Sequence, residues 1–116
     1  MVAGSKTVEG RPATGWAATV QPNDFVRFNV GRGGPHLCVR VLRVRPFATF
    51  SEMLDVCGVA ACLPGFVGDR GAAVRLYQSF GSSAGSYADL ERSVGVVAID
   101  VAPLAMPPHD DGTEVQ

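Results

Sequence analysis

The chain has 116 residues, 47% of them hydrophobic and 18% charged, with a net charge of −1. That length and composition fit one small globular domain with a single core and exclude a disordered chain. The near-zero charge excludes bulk electrostatic attraction to nucleic acid or to a membrane surface, leaving only local basic patches.

Three cysteines, an odd count, and no secretory leader point to a reducing, intracellular and cytoplasmic setting. The Cys57-to-Cys62 spacing is not that of a metal knuckle, and His36 and His109 lie far apart, so neither a metal site nor a cofactor is expected. No apolar run approaches the ~20 residues that span a bilayer, so no membrane partner is expected.

In chain order, a compact polar run comes first: Lys6, Thr7, Val8, Glu9, Gly10, Arg11. Lys6 is the only lysine in the chain. An ammonium can serve as a point-charge phosphate ligand or, when desolvated, as a base or nucleophile. Arg11 can hold a phosphate or carboxylate with two parallel hydrogen bonds. Glu9 can accept a proton or pair with either cation. If the run is extended, Thr7, Glu9 and Arg11 share one side, and Lys6, Val8 and Gly10 the other. A turn would instead let all of them converge. The bland alternative is a surface ion-pair cluster.

Gly15 to Asp24 reads as a connector ending in the turn Pro22-Asn23-Asp24. Phe25 to Val30 is rich in strand formers, Gly31 to Pro35 breaks the chain, and Leu37 to Val44 forms a second strand. The pair predicts a hairpin. Ser51 is a candidate helix N-cap, with Glu52 in the first turn and Met53, Leu54 and Val56 behind it, ending at Gly58. Ala72 to Phe80 carries a helical apolar stripe through Ala73, Leu76, Tyr77 and Phe80. Gly81 to Ser86 reads as a flexible loop, either a simple linker or a lid over a cleft. Val94 to Val101 is a continuous apolar run, a buried strand. The order predicts an α+β domain or a small barrel with helical insertions over residues 1–104, followed by a flexible acidic tail over 105–116.

Gly4-Ser5-Lys6-Thr7-Val8-Glu9-Gly10-Arg11 resembles the Gly-x-Lys-x-x-Glu-x-Arg signature of the ASCH domain family. Further pieces follow in the family's order. Trp16 and Pro22 to Phe28 resemble the turn into a strand, with Asn23-Asp24 where glycine-aspartate is usual. Phe47 to Leu54 resembles the strand-to-helix junction, Leu63-Pro64-Gly65 with Val74 to Tyr77 and Phe80 the second helix, and Gly95 to Val101 with Pro103-Leu104 the closing strand. The resemblance implies a small PUA-like β-barrel with two short helices and a ligand cleft beside it. The strand that usually precedes the glycine-lysine turn is missing or truncated, because little chain lies before Gly4. An uncovered sheet edge of that kind invites a second copy of the chain, so a homodimer is expected.

Three functions follow. The first is binding of RNA or a nucleotide-like ligand in a cleft lined by Lys6, Thr7, Glu9 and Arg11. The second is an amidohydrolase acting on a modified nucleoside such as N4-acetylcytidine, with Lys6 and Glu9 as catalytic groups. In the family's enzymatic branch a lysine, a threonine three residues on and a separate glutamate act; here Lys6 matches the lysine, Glu9 stands in the threonine's place, and no glutamate lies between Asp55 and Glu91. The third is a protein-interaction module that has lost its ligand. Three further residues are candidates for ligand contact. Trp16 could stack on a base, against the commoner role of packing over a barrel end. Arg40, with Arg43 and Arg45, could meet phosphates, against the commoner role of solvent-facing strand positions. Tyr77 sits on a core stripe, with a hydroxyl that could reach the cleft.

Overall fold

The computed structural model describes residues 7–29 and 36–103. Lys6, the Gly31 to Pro35 breaker and the tail over 105–116 lie outside the described residues.

A four-stranded antiparallel sheet, curled as a half-barrel, forms the frame. Its strands are β1 (Val8–Pro12), β2 (Phe25–Asn29), β3 (His36–Phe47) and, after a helical segment, the closing strand Val96–Pro103. Between them come α1 (Phe50–Cys57), α2 (Val59–Cys62), α3 (Arg70–Gln78), a two-residue-stranded hairpin β4 (Gly81–Ser82) and β5 (Gly85–Ser86), and α4 (Tyr87–Val94), so that the closing strand is β6. The strand order is β1-β6-β3-β2, so β1 and β2 are the two edges.

β6 is buried on both faces, as its unbroken apolar run requires. Val96 and Ala98 pack under the helices with Val8, Phe50, Met53, Leu54 and Tyr77. Val97, Ile99 and Val101 pack on the other face with Val39, Val41 and Ala17, the last from a 3-10 turn over Gly15–Ala18. The β2–β3 hairpin forms as the sequence predicts, with Phe25 opposite Arg40 and Phe28 opposite Leu37.

β3 and β6 are paired from Val39–Pro103 to Phe47–Val96, with a shift between Val41 and Arg43. Two residues advance on β3 there for one on β6, which makes Leu42 the extra residue of a β-bulge. Before the bulge Val39 and Val41 face the 3-10 turn. After it the alternation is inverted, and Arg43 and Arg45 turn to the helix side.

The helices start where side chains can satisfy the first backbone donors. The cap of α1 is Thr49, whose hydroxyl accepts from Glu52 N at 3.1 Å. Ser51, the cap expected from the sequence, lies inside the first turn, because β3 runs on to Phe47 and the helix begins at Phe50. α3 is capped by Asp69 and α4 by Ser86. α1 and α3 are the two predicted helices, and α2 and α4 add to them. The Gly81 to Ser86 loop is a small hairpin rather than an unstructured linker, with Gly81 paired to Ser86 and Ser82 to Gly85.

Glu91, on α4, is 8% exposed. Its carboxylate accepts from Phe50 N at 2.7 Å and from Gln78 Nε2 at 2.9 Å, tying α4 to α1 and α3. Glu91→Ala strands both donors and should lower stability by about 2–3 kcal/mol, with Glu91→Gln costing less because one acceptor remains. Urea unfolding followed by circular dichroism measures the difference.

Candidate functional site

Val8 to Pro12 is strand, so the polar run is extended rather than turned back on itself. Glu9 faces Ile99 and Arg11 faces Val97 across the β1–β6 ladder, which puts both on the side of the 3-10 turn. Gly10 faces the helices. A Cβ at Gly10 would stand 2.6 Å from Met53 Cε and 3.1 Å from the Tyr77 hydroxyl, so the glycine lets α1 press directly on the strand.

Glu9 is 9% exposed and holds Arg11 through a 2.8 Å contact from Nε to Oε2. A charge-assisted bond between a half-buried guanidinium and a nearly buried carboxylate fixes the plane of the arginine. The chain then leaves β1 and turns at Gly15, whose φ of 61° an L side chain rarely adopts. That turn brings Trp16 under Arg11, with the guanidinium carbon 5.0 Å from the ring centroid. Trp16 nonetheless stays 40% exposed. Glu9, Arg11 and Trp16 thus form a stack of carboxylate, guanidinium and indole at the edge of the sheet.

An open cleft of about 560 Å³ begins at that stack. It is lined by Arg11, Trp16 and Val20 together with Asp24, Phe25 and Arg27, residues of or beside the two outer strands of the described sheet, β1 and β2. The placing of Asp24 and Phe25 depends on the turn at Asn23, which has φ 77°. Asparagine and glycine are the residues that enter this region readily, which accounts for an asparagine at this turn. Asn23 N donates to Val41 O at 2.7 Å and Val41 N donates to Asp24 O at 2.8 Å, locking the turn to β3. Phe25 emerges from it 67% exposed.

The other candidates fall elsewhere. Thr7 is exposed, and its backbone bonds to Ala61 and Val101. Arg40 is exposed on β3, opposite Phe25, and does not line the cleft. Arg43 Nε and Arg45 Nη2 both donate to Asp100, each at 2.7 Å, so these two arginines are held by a carboxylate on the helix side. Among the described residues no group of histidines, cysteines and acids could hold a metal ion. No described helix is long and apolar enough to cross a membrane.

Tyr77 is a core residue. Its ring stacks on Phe50 with centroids 4.7 Å apart, and it is 2% exposed. Its hydroxyl has no nitrogen or oxygen partner among the described residues. Burial pushes its ionisation well above the ordinary tyrosine range, and the nearby Cys62 thiol and Glu9 carboxylate add to the shift.

The sequence pattern missed Thr19, Val20, Asp24, Phe25 and Arg27 as cleft residues. Asp24, Phe25 and Arg27 were read only as part of a turn into a strand, and the curl of the sheet is what brings them to the cleft that Arg11 lines.

Two solved structures resemble this one over most of their length. The crystal structure of hypothetical protein PH0355 has a TM-score of 0.72 and 33% sequence identity, covering 87% of this chain and 84% of that one. The chain belongs to the family of that protein. The solution NMR structure of protein PF0455 from Pyrococcus furiosus has a TM-score of 0.67 and 32% identity, covering 86% of this chain and 82% of that one. No family model and no curated protein matches the chain. The α+β fold, a curled four-stranded sheet with helices, is compatible with a small PUA-like barrel.

Tyr77→Phe removes a hydroxyl that has no nitrogen or oxygen partner among the described residues, so stability at pH 8 should change little. A folded-state ionisation raised above the unfolded value of about 10 favours the native state below pH 10, and this is lost as pH climbs beyond it. The wild type should therefore lose more stability than Tyr77→Phe between pH 8 and pH 11, measured as the shift in urea midpoint.

Proposed function

We propose that this chain is an RNA- or nucleotide-binding module of the ASCH, PUA-like type, with its ligand in the cleft that starts at Arg11 and Trp16. The observation that carries this reading is the Glu9–Arg11–Trp16 stack. A carboxylate fixes the guanidinium, the guanidinium lies on the indole, and both border a cleft that the exposed Phe25 also lines. Aromatic faces suit unpaired bases, and a fixed arginine suits phosphate or a base acceptor. Arg27 adds a second cation to the lining. Lys6 enters on the family resemblance, as a further phosphate contact.

Binding is favoured over hydrolysis by the state of Glu9. The amidohydrolase reading makes this carboxylate the base that activates water, whereas here it accepts from Arg11 Nε at 2.8 Å. The open cleft also speaks against an interaction module whose ligand site has closed.

Fluorescence anisotropy with a labelled single-stranded oligoribonucleotide tests the proposal. Wild-type protein should bind, and binding should weaken as salt rises. Arg11→Ala and Trp16→Ala should each weaken it about tenfold, the scale of one lost stacking or charged contact, and Lys6→Ala should weaken it as well. Unchanged affinity in both Arg11→Ala and Trp16→Ala would sink the reading. Incubation with N4-acetylcytidine should leave it intact by chromatography, and release of cytidine would restore the enzymatic alternative.

A further inference from the structure

We infer that the site takes two successive nucleotides, one on either side of Arg11 and Trp16, an inference that rests on the nucleotide-binding reading above. A second cleft, of about 230 Å³, shares both residues with the first. Its other walls come from Thr14 after β1, from Ser83 and Ala84 in the β4–β5 turn, and from Tyr87 at the start of α4. Arg11 and Trp16 therefore form a partition, with a large cleft on one side and a small one on the other.

The larger space is within the range of small-ligand sites and the smaller is below it. The smaller cleft is thus an extension of the first rather than a separate site. The order of chemistry along the two clefts is cavity, cation with aromatic ring, cavity. A dinucleotide has the matching order of nucleoside, phosphodiester, nucleoside. Its negative charge lies between its two ring systems, as the Arg11 guanidinium lies between the two clefts. A mononucleotide fills one cleft and brings its phosphate to the partition, but leaves the other cleft to water.

The small cleft suits a nucleoside in its own right. Tyr87 supplies a ring edge or face, and Thr14 and Ser83 supply hydroxyls that can meet a base edge or a ribose 2′-hydroxyl. The turn that carries Ser83 and Ala84 is held in shape: Ala84 N donates to Ser82 Oγ at 3.2 Å, and Ser82 Oγ donates to Gly85 O at 3.2 Å. Its two tip residues are exposed, so they can be enlarged without disturbing the core.

Calorimetric titration with adenosine 3′-monophosphate, adenosine 5′-monophosphate and the dinucleoside phosphate ApA tests the inference. ApA should bind about tenfold tighter than either monophosphate, within the range one further stacked base contributes. Ala84→Trp fills the small cleft and should bring the affinity for ApA down to that for the monophosphates. Ser83→Trp should do the same, and a thermal melt checks that each variant is folded. Equal affinity of the wild type for all three ligands would overturn the inference and leave the nucleotide reading standing. So would folded tryptophan variants that keep the full ApA advantage. No binding of any of the three would overturn both.

Discussion

The structure depends on β6 being apolar on both faces. Val96 and Ala98 meet the helices, while Val97, Ile99 and Val101 meet the opposite layer, and the strand pairs with β1 on one side and β3 on the other. A fully buried aliphatic side chain contributes on the order of 1.5–3 kcal/mol. Four such positions, Val96, Val97, Ile99 and Val101, make this strand the element on which the others assemble. Because β1 borders β6 directly, the strand that carries Glu9 and Arg11 is positioned by the best-buried part of the molecule. The same pairing makes β1 an edge, which leaves its residues able to border a cleft.

The helical layer holds that strand from behind. α1 presses Met53 against Gly10, and Phe50 in the same helix stacks on Tyr77 and, with centroids 6.0 Å apart, on Tyr87. Glu91 then bonds the start of α1 to α4 and α3. This buried carboxylate is the glutamate that a search for a catalytic acid would find first, and its two hydrogen bonds give it a structural task instead. The two sides of β1 thus divide the labour: Val8 and Gly10 serve packing, and Glu9 and Arg11 serve the site. Rigid support behind β1 would limit the reorganisation that the proposed ligand must drive.

Much of the frame was legible before any coordinates. The strand-forming runs of β2 and β3, the continuous apolar run of β6, the apolar residues of α1 and the stripe of α3 all lie close to where the sequence puts them. The extended alternative read for the polar run put Glu9 and Arg11 on one side, as β1 does. α4 escaped because its buried stripe runs through Glu91, a residue that hydropathy assigns to solvent. The hairpin after Phe80 escaped because glycine, serine and alanine carry no periodicity. Trp16 looked like a lid on a barrel end; its contact with Arg11 arises from the backbone turn at Gly15, which alternation does not encode. The cleft itself is a product of curvature. Asp24, Phe25 and Arg27 are remote in sequence from Arg11 and line the same cleft because the sheet curls.

The bulge at Leu42 has a consequence for comparing this chain with others. Because one residue of β3 has no partner on β6, side chains before and after it obey opposite parities. Arg43 and Arg45 meet Asp100 only because of that offset. A homologue with an uninterrupted β3 is one residue shorter at this point. An ungapped alignment of the two would equate its inward valines with this chain's arginines. The correct correspondence opens a single gap at Leu42, and the positions opposite Asp100 then reveal whether the homologue kept the ion pair or replaced it as a unit.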